Sequence, residues 1–156
     1  KGELHRNFQG YTTRGGADLI GIGVTSIGDG IDYYAQNFKD LKQYEASLDA
    51  GTLPTFKGYK LSSDDQLRQF VIMELMSNFS LNMPRVEEKF NINFNEYFKD
   101  ALEDLTEFEE ADLVSIKDGR IEVNPTGTML IRNICMPFDA YLKKVPENKR
   151  RFSKTI

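Results

Sequence analysis

The sequence is poor in the residue types that hold metals and disulfides, with one cysteine, Cys135, and one histidine, His5. A single thiol excludes an internal disulfide, and it excludes an iron–sulfur or multi-cysteine metal site built from this chain alone, because such sites need about three or four thiolates. A single histidine cannot form a two-histidine metal site. One reduced thiol is typical of a cytoplasmic protein, so we expect that location.

Long apolar runs are also missing. No run approaches the roughly 20 residues that cross a bilayer, and the first residues lack the charged-then-apolar pattern of a signal peptide, so no membrane partner is expected. The chain starts at Lys1 rather than at methionine, which suggests a chain cut from a longer one. The net charge of -4 argues against a nucleic-acid partner, because DNA binding depends largely on Lys and Arg at phosphates.

What is present at the N-terminal end is a glycine-rich apolar stretch, DLIGIGVTSIGDG, residues 18–30. Its nearly continuous apolar run predicts a strand over 18–27 that is buried on both faces, as in a parallel sheet, and Gly28-Asp29-Gly30 predicts a sharp turn. Apolar spacing then predicts a helix from Tyr33 to Gly51, and residues 52–62 read as an extended linker. Because a parallel strand needs neighbours, residues 1–60 look like the last piece of a larger α/β domain.

From residue 61 onward the pattern is mainly helical. Ser63 and Gln66 have the spacing of a capping box at the start of a helix whose buried stripe includes Leu67, Phe70, Val71 and Leu75. Pro84 predicts the start of a short second helix, and a third helix follows with a large apolar face. That face comprises Phe94, Tyr97, Phe98, Ala101, Leu102, Leu105 and Phe108.

Two further elements complete this part. Residues 113–123 alternate around Asp118-Gly119, which predicts a β-hairpin. The segment 126–142 predicts a last helix that Pro137 kinks. Its inward side chains are expected to be Leu130, Ile131, Ile134, Cys135, Phe138, Tyr141 and Leu142. Residues 61–156 therefore predict a second domain that resembles a winged helix in outline.

A winged helix raises the hypothesis of DNA binding through its third helix, but the charges of that helix oppose it. Its exposed positions are expected to be almost all acidic, with Lys99 alone against them: Glu96, Asp100, Glu103, Asp104, Glu107, Glu109 and Glu110. Such a surface repels phosphates. The alternative that stays open is a helical, winged-helix-like interaction module without catalytic activity.

Candidate chemical groups are few. His5 has no evident nucleophile to serve, so a structural or solvent-facing role is favoured. Gly21-x-Gly23 is a poor match to a dinucleotide fingerprint, and tight strand packing explains it equally well. Cys135 is expected to be an inert core thiol.

Four separated segments carry a family resemblance: LHRNFQGYTT at 4–13, DLIGIGVTSIGDGIDYYAQN at 18–37, LIRNICMPFDAYL at 130–142 and RFSKTI at 151–156. In this order they resemble the C-terminal third of the oxygen-independent coproporphyrinogen III oxidases, radical S-adenosylmethionine enzymes of haem biosynthesis. The resemblance implies a fold class of α+β, in which residues 1–60 are the last strand and helix of a partial (βα) barrel and residues 61–156 are the helical C-terminal domain.

The resemblance also implies the chemistry. Family members hold a 4Fe-4S cluster on a C-x3-C-x2-C motif and bind S-adenosylmethionine there. A 5′-deoxyadenosyl radical then removes a propionate hydrogen from coproporphyrinogen III, and loss of carbon dioxide leaves a vinyl group, twice per turnover. That cysteine motif is absent from this sequence, so the chain alone is expected to hold no cofactor stably and to be inactive. The full-length family is expected to be monomeric, whereas exposed edges of residues 18–27 would allow this chain to self-associate.

Carried over by position, the resemblance assigns catalytic roles to Phe8 and Gln9 and an S-adenosylmethionine contact to Ile27. The residues after Ile27 depart from the bulkier, more apolar ones typical of the family, which affects the loop there. For the carboxylates of the substrate, the candidate cationic partners are Arg6, Arg132 and the basic residues gathered at the C-terminal end. These are Lys143, Lys144, Lys149, Arg150, Arg151 and Lys154.

Overall fold

The computed structural model describes residues 4–7 and 10–144, and it divides the chain into two compact units that meet in sequence at Gln66 and Leu67. Helices and small antiparallel sheets together make the α+β class that the sequence predicts. Among the described helices, none has the length and apolar character needed to cross a membrane.

The described part of the first unit contains five strands and one complete helix. A two-stranded sheet is separate from a three-stranded antiparallel sheet in which β4 is central. The elements are β1 (His5–Asn7), β2 (Gly10–Thr12), β3 (Ile27–Asp29), β4 (Tyr33–Asn37), α1 (Leu41–Asp49) and β5 (Thr55–Lys60).

The prediction of a buried parallel strand over 18–27 is wrong. Only Ile27–Asp29 is a strand, and it pairs antiparallel with β4. Ile20 and Ile22 are 77% and 88% exposed. The cause is local: Gly23 has φ of 102° and Thr25 has φ of 65°, and an extended strand cannot continue through left-handed residues. The turn predicted at 28–30 occurs just after β3, where the Gly30 N–H donates to the Tyr33 carbonyl at 2.9 Å.

The helix predicted from Tyr33 to Gly51 is half the predicted length. Tyr33–Asn37 forms strand β4, because adjacent aromatic residues favour the pleated sheet. The helix begins after Asp40, whose side chain accepts a hydrogen bond from the Gln43 N–H at 3.0 Å. It ends before Gly51, which has φ of 69°. The stretch read as a linker is extended as expected, but it is strand β5, paired with β4.

The second unit has helices around a three-stranded antiparallel sheet of order β6-β8-β7. Its elements are α2 (Ser63–Asn78), β6 (Ser80–Asn82), α3 (Met83–Phe90), α4 (Phe94–Tyr97), α5 (Lys99–Glu110), β7 (Val114–Lys117), β8 (Arg120–Val123), α6 (Ile131–Cys135) and α7 (Ala140–Lys144).

The start of α2 differs by one residue from the predicted capping box. The Ser62 hydroxyl accepts from the Asp65 N–H at 3.1 Å, and the Asp65 carboxylate accepts from the Ser62 N–H at 2.9 Å. These two residues satisfy each other's donors in the way that Ser63 and Gln66 were expected to do. The predicted stripe is confirmed in Leu67, Val71 and Leu75, which are buried.

The predicted third helix is interrupted at Phe98, where φ is -105° and ψ is 24°. Its ring packs 4.8 Å from that of Phe94 and 5.4 Å from that of Phe138, measured between centroids. The Arg68 guanidinium lies 5.4 Å from the same ring and donates to the Phe138 carbonyl at 2.9 Å. Aromatic packing therefore wins over continuous helical geometry at this point.

The predicted hairpin is confirmed as β7 and β8. Asp118 and Gly119 both have positive φ, 52° and 71°, as a tight two-residue hairpin turn requires. The third strand of this sheet, β6, is too short to have a sequence signal, and it pairs antiparallel with β8.

The predicted last helix is broken into short pieces. A 3-10 turn at Gly127–Leu130 leads into α6, and a second one at Met136–Phe138 contains Pro137, which cannot donate a helical hydrogen bond. Ile134, Cys135 and Phe138 are buried as predicted. Leu130 and Tyr141 are 42% and 52% exposed, so their inward placement is wrong, because the breaks rotate each piece relative to the next.

The hydrophobic core lies in the second unit. Among the described residues of the first unit, Leu61 and Pro54 are the buried apolar residues. The core of the second unit comprises Leu67, Val71, Leu75, Leu81, Met83, Val86, Phe94, Phe98, Ala101, Leu105, Val114, Ile121, Ile134, Cys135 and Phe138.

Candidate functional site

The predicted catalytic residues Phe8 and Gln9 lie outside the described residues. The strands on either side of them are described: Asn7 pairs with Gly10, and the Asn7 side chain accepts from the Gly10 N–H at 3.1 Å. The Arg6 guanidinium lies over the ring of Tyr11, 5.8 Å from its centroid. The described residues before and after this pair in sequence therefore form the two hydrogen-bonded strands β1 and β2.

The loop that leads into Ile27 has an unusual backbone. Thr25 adopts a left-handed conformation, which is rare for a β-branched residue and costs of order 1–3 kcal/mol. A Cβ added at Gly21 would lie 2.8 Å from the Ile27 main chain. Gly21 therefore allows the loop to lie directly against Ile27, and Gly23 allows the reversal that precedes it. Gly21 therefore has the close-packing role that was expected. That expectation is wrong for Gly23, because a Cβ there would meet nothing within 4 Å and the residue is needed only for its positive φ.

The Asn37 side chain holds this loop. Its carboxamide nitrogen lies 3.3 Å from the Gly21 carbonyl oxygen, 3.0 Å from the Gly23 carbonyl oxygen and 3.0 Å from the Ser26 hydroxyl. Its main-chain N–H donates to the Ser26 carbonyl at 3.0 Å, and the Thr25 N–H donates to the Phe38 carbonyl at 2.9 Å. The strained loop is thus fixed on β4 by several hydrogen bonds.

Ile27 is half-buried and lies directly opposite Gln36 in the β3–β4 pair. Since Asn37 donates to Ser26 in the adjacent pair, alternation makes the Ile27–Gln36 pair a non-hydrogen-bonded one. The main-chain groups of Ile27 consequently point away from β4, towards Gly21. An aliphatic side chain beside a carboxamide on one face of the sheet suits the adenosine part of a cofactor.

Asp29 lies on the same face of β3 as Ile27, two residues on. Burial, together with the neighbouring Asp18 carboxylate, raises the pKa of Asp29 above its usual value. Asp18 accepts a hydrogen bond from the Ile31 N–H at 3.2 Å. The two carboxyls make this edge of β3 acidic, and Asp29 is one of the residues after Ile27 that depart from the bulkier, more apolar ones typical of the family.

The remaining candidates are in other places. A Cβ added at Gly15 would overlap the ring of His5, so the histidine has a packing role, as the structural interpretation favoured. Arg132 is exposed on α6. Of the C-terminal basic residues, Lys149, Arg150, Arg151 and Lys154 lie outside the described residues, and the side chains of Lys143 and Lys144 are not described either.

The described residues do not fit an iron–sulfur cluster. Cys135 is buried, and burial raises its pKa to about 12, so the thiolate that binds iron is strongly disfavoured. Within residues 4–7 and 10–144, no group of three or more His, Cys, Asp or Glu side chains is arranged to hold a metal ion.

Sequence reasoning missed Asn37 as a functional candidate. The prediction of a helix over Tyr33–Gly51 placed it in the first turns of that helix. The signal that could have corrected this is the Tyr33-Tyr34 pair, which favours a strand, followed by Asp40 as a helix cap.

Comparison with known proteins gives a consistent result. Residues 61–130 match the family model described as the HemN C-terminal domain. The chain is 53% identical over 156 residues to the oxygen-independent coproporphyrinogen III oxidase of Helicobacter pylori strain J99, covering 100% of this chain and 34% of the relative. It is 45% identical over 160 residues to the oxidase of the same description from Synechocystis sp., with 100% and 34% covered.

A solved structure agrees with these relatives. The coproporphyrinogen III oxidase (HemN) of Escherichia coli, described as a radical SAM enzyme, matches with a TM-score of 0.86 and 44% identity, covering 90% of this chain and 32% of that one. The resemblance predicted from sequence is confirmed. The chain spans about a third of the length of the curated relatives that it matches, namely 34% of each of the two named above.

Proposed function

We propose that this chain belongs to the oxygen-independent coproporphyrinogen III oxidase family and is the C-terminal part of such an enzyme, because it matches these relatives along its whole length. The proposed reaction is the oxidative decarboxylation of two propionates of coproporphyrinogen III to vinyls, which gives protoporphyrinogen IX in cytoplasmic haem biosynthesis. The observation that carries the proposal is the 53% identity that extends over the whole chain.

The cluster of this enzyme belongs outside the described residues, which do not fit it. We expect a C-x3-C-x2-C motif upstream of this chain in the complete polypeptide, and no turnover from the chain alone. Reconstitution of the isolated chain with iron and sulfide tests this. A stoichiometric 4Fe-4S centre on the isolated chain would contradict the proposal.

For S-adenosylmethionine the described residues do fit part of a site. Ile27 offers an aliphatic side chain, and Gln36 offers a carboxamide beside it. Phe8 and Gln9, proposed as the catalytic pair near the cofactor, would add an aromatic wall and a second amide. The chemistry that the cofactor supplies is hydrogen-atom abstraction from a propionate. The role of this chain is to bind and orient, and to keep water away from the reacting carbon.

The finer architecture is also a proposal. We assign residues 1–60 to the end of a partial (βα) barrel and residues 61–156 to the helical C-terminal domain. The exposed side chains of Ile20 and Ile22 support the first assignment, since apolar side chains of that size are normally covered. The order α2, β6, α3, α4, α5, β7, β8 supports a winged-helix-like description of the second domain, and the family model begins at residue 61.

The cationic partners of the substrate carboxylates are proposed to include Arg6 and Arg132. Both are described residues, and Arg132 is exposed. In the complete enzyme, Arg132→Glu is expected to raise the KM for coproporphyrinogen III, because a carboxylate would face the propionates. Unchanged substrate affinity in this variant would remove Arg132 from the site.

Nucleic acid is not a proposed partner, because the exposed face of α5 is acidic, as the burial pattern of its carboxylates indicates. We propose that the complete enzyme is a monomer in the cytoplasm without a membrane partner, and that this chain alone self-associates through the exposed apolar side chains of Ile20 and Ile22.

One alternative function has an observation in its favour. The second unit has its own core, which is what an independent interaction module would need. A chimera separates the two possibilities: this chain replaces the matching C-terminal part of the Helicobacter pylori enzyme. We expect the chimera to convert coproporphyrinogen III with S-adenosylmethionine and reductant. A correctly folded, cluster-loaded chimera without turnover would favour the interaction module.

A further inference from the structure

We propose that Asn37 is a positioning residue, whose side chain holds residues 21–26 in the conformation that presents Ile27 to S-adenosylmethionine. The inference rests on the proposed function, since it takes Ile27 as a contact of that cofactor. It concerns a residue that no resemblance assigned and whose role follows from hydrogen bonds within the first unit.

The loop needs an external restraint. Thr25 is left-handed with φ of 65°, and Gly23 has φ of 102°. The left-handed conformation is unfavourable for a threonine. The loop therefore keeps this conformation only because other contacts stabilise it. Strained backbone that is held in this way is typical of positions where a fixed geometry serves function.

Asn37 supplies the restraint from a favourable position. The pairing of β4 with β5 shifts register between Gln36 and Asn37, and such irregularities redirect a side chain. The carboxamide nitrogen has two N–H groups shared among three acceptors, the Gly21 and Gly23 carbonyls and the Ser26 hydroxyl, at 3.3, 3.0 and 3.0 Å. The Ser26 hydroxyl itself donates to the Gly23 carbonyl at 2.8 Å.

The restraint is transmitted to Ile27 by direct contact. The missing Cβ of Gly21 would be 2.8 Å from the Ile27 main chain, so the loop rests on that residue. If the loop relaxed, the Ile27 side chain and main-chain groups would shift with it. Shifts of about an ångström are enough to weaken the binding of a positioned cofactor considerably.

The decisive variant is Asn37→Asp in the reconstituted chimera described above. It keeps the size of the side chain but directs an acceptor at the Gly21 and Gly23 carbonyls. We expect the Kd for S-adenosylmethionine, measured by equilibrium dialysis, to rise about tenfold. We also expect the amides of residues 21–27 to exchange about tenfold faster with deuterium, as observed by mass spectrometry.

The matched control is Asn124→Asp in the second unit, where the Asn124 side chain donates to the Asp112 carbonyl at 3.0 Å. Its Kd for the cofactor is expected to equal that of the unaltered chimera. A loss of cofactor affinity that is the same in both variants would show a general stability effect and overturn the proposal.

Two other results would also overturn it: an unchanged Kd in Asn37→Asp despite faster exchange of residues 21–27, or unchanged exchange. If Asn37→Asp does not fold, Ser26→Ala removes one acceptor and is expected to raise the Kd about two- to threefold. No change in Kd and exchange in Ser26→Ala would again contradict the proposal. An unaltered chimera that does not bind S-adenosylmethionine would instead refute the proposed function, and with it the inference.

Discussion

The buried thiol of Cys135 allows a quantitative prediction of how the free energy of unfolding depends on pH. It is 5% exposed, and burial raises its pKa from the ordinary 9.0 to about 12. A thiol with this shift stays protonated in the folded protein while the unfolded chain ionises. Its contribution to stability is therefore complete below about pH 9 and is lost as the pH rises towards the folded-state pKa.

The comparison of the unaltered protein with Cys135→Ala isolates this effect. Between about pH 8 and about pH 10.5, the free energy of unfolding should fall by about 2 kcal/mol more in the unaltered protein than in Cys135→Ala. Urea denaturation at both pH values measures it. Equal pH dependence of the two proteins would mean that the thiol is ionised as easily in the folded state as in the unfolded one.

At the residue scale, sequence reasoning succeeded where one side chain had one dominant environment. Cys135 was expected in the core, and Gly21 was explained by close packing; the structure places both accordingly. It failed for Asn37, because no local sequence pattern indicates which groups the side chain of an asparagine in a strand contacts. Its role depends on a register shift and on a loop at residues 21–26, which only the folded chain brings together.

At the scale of elements, the start of α2 allows a test of which serine caps the helix, and the two neighbouring serines serve as controls for each other. Ser62 accepts from the Asp65 N–H, whereas the sequence pattern pointed to Ser63. We expect Ser62→Ala to lower the free energy of unfolding by about 1 kcal/mol, and Ser63→Ala to change it by less than about half of that. Chemical denaturation of both variants decides the matter, and the reverse order would show that the capping box begins at Ser63.

The hairpin turn between β7 and β8 gives a second element-scale prediction. Gly119 has φ of 71°, and a Cβ there would lie 3.2 Å from the Pro84 ring. Its carbonyl also accepts from the Met83 N–H at 2.9 Å. Gly119→Ala should therefore lower the free energy of unfolding by about 1 kcal/mol or more, whereas Asp118→Asn should be close to neutral because asparagine tolerates the left-handed region.

Thermal denaturation of the two hairpin variants measures this difference. A Gly119→Ala protein as stable as Asp118→Asn would contradict the left-handed turn.

The elements that were predicted correctly have strong local signals, such as Asp118-Gly119 for the hairpin and Pro84 for α3. Those that were wrong have two competing signals. Tyr33–Asn37 continues the apolar spacing of α1, but it is a strand. It pairs with β5, which lies beyond α1 in sequence, and this long-range pairing has no local signal. The predicted third helix has a continuous apolar face, yet packing of three aromatic rings interrupts it at Phe98.

For the whole molecule, the family resemblance predicted the α+β class correctly, but not the sheet of the first unit. The apolar run at residues 18–27 was interpreted as a buried parallel strand, because sequence alone does not show whether apolar side chains are covered. Ile20 and Ile22 are in fact exposed here. The spacing of apolar residues shows which side chains a segment could bury. It does not show which other part of the protein covers them.

The uneven distribution of the core predicts uneven stability. The described apolar core lies within residues 67–138, while α1 has no buried residue and the first unit buries Leu61 and Pro54. Because burial of apolar surface supplies most of the stabilisation, strands β3–β5 should open more easily than α2, α5 and β8.

In hydrogen–deuterium exchange of this chain, we expect amides of residues 27–60 to exchange at least about tenfold faster than core amides of α2 and β8. Adding low urea concentrations should widen the difference, since local opening of the first unit precedes global unfolding. Equal protection of both units, with a single coincident urea transition, would show instead that the first unit is stabilised as strongly as the second despite its small buried core.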